Sequence, residues 1–92
     1  MITRSENVMA RTILGRTMLI PVRGAVADLQ QVMTLNETAE FIWTRLDGTR
    51  DVAWLARELS TVFAVDAEQA RADVSDLLAT LVQRQFAEER QD

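Results

Sequence analysis

The sequence predicts an α+β fold of winged-helix-like plan, with an N-terminal three-stranded antiparallel sheet packed on three α-helices. Three observations carry this. Short runs of β-branched and apolar residues, broken by Gly15, Gly24 and Asp28, fill residues 7–35. From residue 36 onward apolar residues recur at three- and four-residue spacing, the repeat of one helix face. Asn36, Asp51 and Asp66 each stand just ahead of such a run, where a side-chain oxygen can accept the first free helix amides.

Taken in order, residues 1–6 read as a frayed tail. Residues 7–14 form the first strand, with β-branched Val8, Thr12 and Ile13, and Gly15-Arg16 supplies a tight turn. Residues 17–22 form the second, with Pro21 near its end, where a missing amide is tolerated. Gly24 and Asp28 mark a longer loop before a third strand at residues 31–35. Period-two alternation is weak in all three, and short links favour an antiparallel meander.

The first helix spans about residues 37–46. Ala39, Ile42, Trp43 and Leu46 share its buried face, Glu37 complements its dipole and Gly48 ends it. Asp51 caps a second helix, whose apolar face is Val52, Leu55, Ala56, Leu59, Val62 and Phe63. Asp66 with Gln69 gives a capping-box pattern for a third, which shows Ala70, Val74, Leu77, Leu78 and Leu81 to the core and runs to about residue 85. Phe86 then folds back onto the core. Ile42, Trp43, Leu55, Leu59, Val74 and Leu77 are the expected centre of packing.

A chain of 92 residues fits one domain, 1–92, with an ordered core at about 7–87. It contains no Cys, His, Tyr or Lys. Thiolate, disulfide and imidazole chemistry are excluded, and the carboxylates do not group. A binding module is expected rather than an enzyme, with no metal and no cofactor. No apolar run is long enough to cross a membrane. The N-terminus, with Arg4, Glu6 and Asn7, lacks a secretory pattern, so a cytoplasmic location is expected.

Charge is uneven: residues 1–35 hold four Arg against Glu6 and Asp28, a net +2, while residues 36–92 hold six Arg against twelve acids, a net −6, together the overall −4. A winged-helix DNA-binding regulator is the alternative that the helix pattern raises. It is disfavoured because Arg71 and Arg84 are outnumbered on and around the third helix by Asp66, Glu68, Asp73, Asp76, Glu88 and Glu89. An interaction domain fused to an enzyme is a third class. No nucleic-acid or membrane partner is expected.

The chain resembles the PqqD family from about residue 7 to 86. The matching pieces are Pro21-Val22-Arg23-Gly24, Leu35-Asn36-Glu37 with Ile42-Trp43, Leu46-Asp47-Gly48-Thr49-Arg50-Asp51-Val52, Leu59 with Phe63-Ala64-Val65, and Asp73-Val74 with Leu77-Leu78 and Leu81-Val82. Each piece is short, and it is their order and spacing that are specific. The resemblance implies a non-catalytic recognition element for ribosomally made precursor peptides. Such a protein binds the leader and presents the core to a modifying enzyme, often a radical SAM protein. It also implies that the leader adds as a strand beside the third strand, in a groove bounded by the third helix. Members dedicated to pyrroloquinoline quinone usually carry a Pro-Glu-Gly type turn before the Leu-Asn motif and a smaller apolar residue in place of Trp43. The longer link here, from Arg23 to Gln30, and Trp43 itself point to a different modified peptide.

The residues allow that mode. Gln31, Val32, Met33 and Thr34 contain no Pro, Gly or charge to blunt an open edge. On the third helix Leu78 and Val82 widen the apolar arc to one flank, with Arg71 and Ser75 beside them. That flank is the expected groove wall, with Arg71 able to select an acidic leader residue. The opposite flank, Asp73, Asp76, Thr80 and Arg84, reads as solvated surface. Trp54 lies off the apolar stripe and is a candidate contact for a partner enzyme, while Asn36 reads as a cap. An unblunted edge permits either a monomer or a strand-exchanged dimer.

Overall fold

The computed structural model describes residues 1–24 and 26–90. Its strands are β1 (Ile2–Arg4), β2 (Val8–Ile13), β3 (Arg16–Arg23), β4 (Val26–Ala27), β5 (Met33–Leu35) and β6 (Ala87–Glu89), and its helices are α1 (Glu37–Trp43), α2 (Val52–Phe63) and α3 (Ala67–Gln83). β3 is the centre of the main sheet. β2 pairs antiparallel along one side of it, and β5 and the short β4 share the other side. The three helices follow, and the expected α+β architecture holds.

The caps form as the side-chain chemistry requires. Asn36, Asp51 and Asp66 accept from the amides of Ala39, Trp54 and Gln69 at 2.9, 2.8 and 3.3 Å. The capping box at α3 is only half made, because the side-chain Nε2 of Gln69 donates forward to the Asp73 carboxylate (2.7 Å) and the side chain does not reach back to the cap. α1 stops at Trp43, earlier than the periodicity indicates, because the next amides bond three residues back, Arg45 to Ile42 C=O and Leu46 to Trp43 C=O, and tighten the chain out of the α-helix. Gly48 serves the next turn at φ +84°, where a Cβ would sit 2.7 Å from the Arg90 side chain. The hairpin turn is Leu14-Gly15, both at positive φ, rather than Gly15-Arg16.

Helix α3 ends in a Schellman turn. Gln85 takes the left-handed conformation, the Phe86 amide donates to Leu81 C=O (2.8 Å) and the Gln85 amide to Val82 C=O (3.0 Å). This drops Phe86, fully buried, onto the core formed by Leu19, Leu35, Ile42, Leu55, Leu59 and Leu81. The chain then runs into β6. Residues 1–6 are therefore no loose tail: β1 pairs with β6, and the Ser5 amide donates to Phe86 C=O at 2.9 Å. A three-residue strand gives little periodic signal, and its partner lies at the far end of the sequence.

Of the expected core, Leu77 is only half-buried while its neighbour Leu78 is buried, and Val62 is exposed on α2. Thr17 is the one buried polar side chain among the described residues; its hydroxyl donates to Glu40 at 2.7 Å and ties β3 to α1.

Leu59, 1 % exposed, sits where α2 meets α1 and α3. Leu59→Ala should cost about 2–5 kcal/mol of stability in denaturant unfolding, and an unchanged midpoint would mean that this helix face is not the packed one. In the α1–α2 turn, the Thr49 hydroxyl and amide both donate to the Asp47 carboxylate and hold it below its usual pKa. Its contribution is present above the ordinary carboxylate range and is lost as pH falls through the lowered value. The acid-side fall in Tm should accordingly be shallower in Asp47→Asn.

Candidate functional site

The alternation of β3 fixes which groups of β5 are open. The Val22 amide donates to Asn7 C=O on the β2 side, and Pro21 C=O accepts from the Asp28 amide on the opposite side, each at 2.8 Å. Odd-numbered residues of β3 thus turn their main chain toward β5. Thr17 stands opposite Leu35 and Leu19 opposite Met33. The main chains of Met33 and Leu35 are therefore bonded to β3, and the N–H and C=O of Thr34 point outward. Val32, extended at φ −68° and ψ 138°, continues the alternation and also turns its main chain to the edge. The side chain of Met33 packs on the core and that of Thr34 is exposed.

One side of α3 lies along this edge. The Arg84 guanidinium crosses to donate to Gln31 C=O at 3.0 Å, and stacks 5.0 Å over the Phe86 ring. Thr80, Gln83 and Arg84 line a surface hollow of about 680 Å³ with Arg23 and Gln31. Nearer the helix start, Asp73, Asp76 and Leu77 line one of about 290 Å³ with Asn36, Thr38 and Ala39. Asp73, Asp76, Leu77, Thr80 and Arg84, three or four residues apart, form one stripe. An extended segment laid on β5 would meet main-chain partners on one side and this stripe on the other. Among the described residues β2 pairs with β3 alone, so its outer edge is open as well.

Of the residues read from the sequence, Gln31, Val32, Met33 and Thr34 stay together at the edge, with Gln31 in a short 3₁₀ turn ahead of β5. The other four are not brought to it. Arg71 lines a hollow between α2 and α3 with Ala53, Ala56 and Arg57, and Ser75 is exposed on Arg71's side of the helix. Leu78 is buried in the core, and Val82 borders a hollow with Ser5, Asn7 and Pro21. The expectation that the Leu78–Val82 flank faces the strand is thus corrected to the opposite flank. Both flanks lie equally far from the buried centre of the helix, and only packing against the sheet distinguishes them. Trp54 is half-buried, with the Arg50 guanidinium 3.9 Å over its ring. Among the described residues no acidic groups converge as a metal site.

A small α+β unit with an open strand edge beside a helix is what the geometry defines. The chain belongs to the PqqD family: residues 16–87 match the model described as Coenzyme PQQ synthesis protein D (PqqD). Over 57 residues it is 43% identical to the PqqA binding protein of Xanthomonas oryzae pv. oryzae (strain PXO99A), 41% to that of Xanthomonas euvesicatoria pv. vesicatoria (strain 85-10) and 36% to that of Xanthomonas campestris pv. campestris (strain B100). Each match covers 62% of this chain and 62% of the relative, so the match spans about three fifths of the length of these curated relatives. The fold is shared with TbiB1 in complex with the TbiA(beta) leader peptide, at TM-score 0.76 and 18% identity over 98% of this chain and 99% of that one. It is shared also with lasso peptide synthetase B1 complexed with the leader peptide, at TM-score 0.77 and 21% identity over 95% and 96%.

The two central edge residues should respond differently to proline. Met33→Pro removes an amide bonded to β3 and leaves a carbonyl without its donor, which should lower stability by about 1–3 kcal/mol. Thr34→Pro removes an amide that faces the open edge and should cost clearly less. Equal losses in thermal unfolding would contradict the register.

Proposed function

We propose that this chain is a non-catalytic chaperone for a ribosomally made peptide. It binds the leader of the precursor as a strand added to β5, and presents the core to a modifying enzyme in the cytoplasm, where the peptide is made. The observation that carries this reading is the outward main chain of Thr34 and Val32 beside the α3 stripe. Main-chain pairing supplies affinity for any extended segment, and the helix side chains supply choice among segments. Membership of the PqqD family and the names of the matched relatives support it. The modifying enzyme, a radical SAM protein in many members of such systems, would take the leader-bound form. The DNA-binding alternative has the exposed Glu68, Asp73 and Asp76 of α3 against it, because these repel phosphate.

The test is an amide-resolved NMR titration, first with the PqqA peptide and then with each short peptide encoded beside this chain. A binding leader should shift Val32, Thr34 and the Asp73-to-Arg84 side of α3, and Thr34→Pro should weaken it. Shifts confined to α2 and Trp54, with β5 silent, would overturn strand addition.

A further inference from the structure

Resting on strand addition at β5, we infer that the groove reads charge order: it selects a leader segment with a basic residue followed, four positions later, by an acidic one. The α3 stripe is electrically polar along its length. Asp73 and Asp76 lie at the end where β5 runs into Asn36, and Arg84, with Arg23 behind it, lies where β5 begins. Asp76 has no ion-pair partner among the described residues. Asp73 accepts from the neutral side-chain amide of Gln69, and its charge remains. At the other end Arg23 is 3.7 Å from Asp28, so Arg84 carries the uncompensated positive charge. Its bond to Gln31 C=O holds the guanidinium at the start of the edge.

Distance sets the spacing. Asp76 and Arg84 are eight helical residues apart, about 12 Å along the axis, and an extended chain covers that in about four residues. Four is also an even number, so both side chains of the added strand point to the same face, the one that α3 covers. Direction sets the order. Antiparallel pairing is the stronger arrangement. A strand antiparallel to β5 enters at the Asn36 end, beside the two aspartates, and leaves at Gln31, beside Arg84. The basic residue therefore comes first.

The experiment uses three synthetic ten-residue peptides of one Thr/Val host, measured by fluorescence anisotropy and by the edge amides in NMR. One carries Lys then Glu four positions on, one carries Glu then Lys, and one has Gln at both places. Lys-then-Glu should bind roughly three- to tenfold tighter than Glu-then-Lys, with Gln between, as expected for two solvent-accessible pairs. The difference should shrink in high salt. The D73N/D76N/R84Q protein should bind all three alike, and D76R/R84E should reverse the order. Equal affinities for the two charged peptides, or an order unchanged in D76R/R84E, would overturn charge reading. If the edge amides still shift in that case, strand addition stands without it. If neither these peptides nor any leader moves Val32 and Thr34, strand addition falls and charge reading falls with it.

Discussion

Much of this molecule depends on how α3 is seated. Ala70, Val74, Leu78 and Leu81 enter the core together, and that single contact fixes the rotation of the helix about its axis. Once it is fixed, Asp73, Asp76, Leu77, Thr80 and Arg84 have to lie along β5, and Arg71 has to lie against α2. The same seating sets where the helix ends. Leu81 accepts from the Phe86 amide, and this turn sends the chain back to pair with its own N-terminus. A rotation of α3 by one residue would move the core contact, the groove wall and the return strand at once.

β5 is open for a different reason. A central strand must alternate its main-chain groups between two neighbours, and β3 has β2 on one side and β5 on the other. Three residues of β5 therefore divide into two that hold the sheet and one, Thr34, that faces outward. Exposed edges of this kind are usually blunted by charge, proline or cover. Here a helix runs alongside without covering the edge, and its nearest side chains are carboxylates at one end and a guanidinium at the other. Such an edge is a ready template for a further strand, which is the physical sense of the proposed role.

The caps, the helix faces and the buried Phe86 were legible in the sequence, because each depends on residues within a few positions of one another. Asn36, Asp51 and Asp66 cap as their chemistry requires, and Leu55, Leu59 and Val74 lie in the core as their spacing requires. The edge strand was legible from what residues 31–34 lack. β1 was not, since three residues carry no period and their partner is more than eighty residues away.

The sequence by itself determined an α+β chain with three capped helices, a segment at residues 31–34 free of the Pro, Gly and charge that blunt an edge, and a composition without Cys or His that favours binding over catalysis. Only the tertiary structure decided which flank of α3 meets that segment, and hence that Arg84 rather than Arg71 stands at the strand. A helical wheel is symmetric about its buried centre. Leu77 and Leu78, one residue apart, fall to opposite sides of that centre, and long-range packing alone decides which of them the core buries.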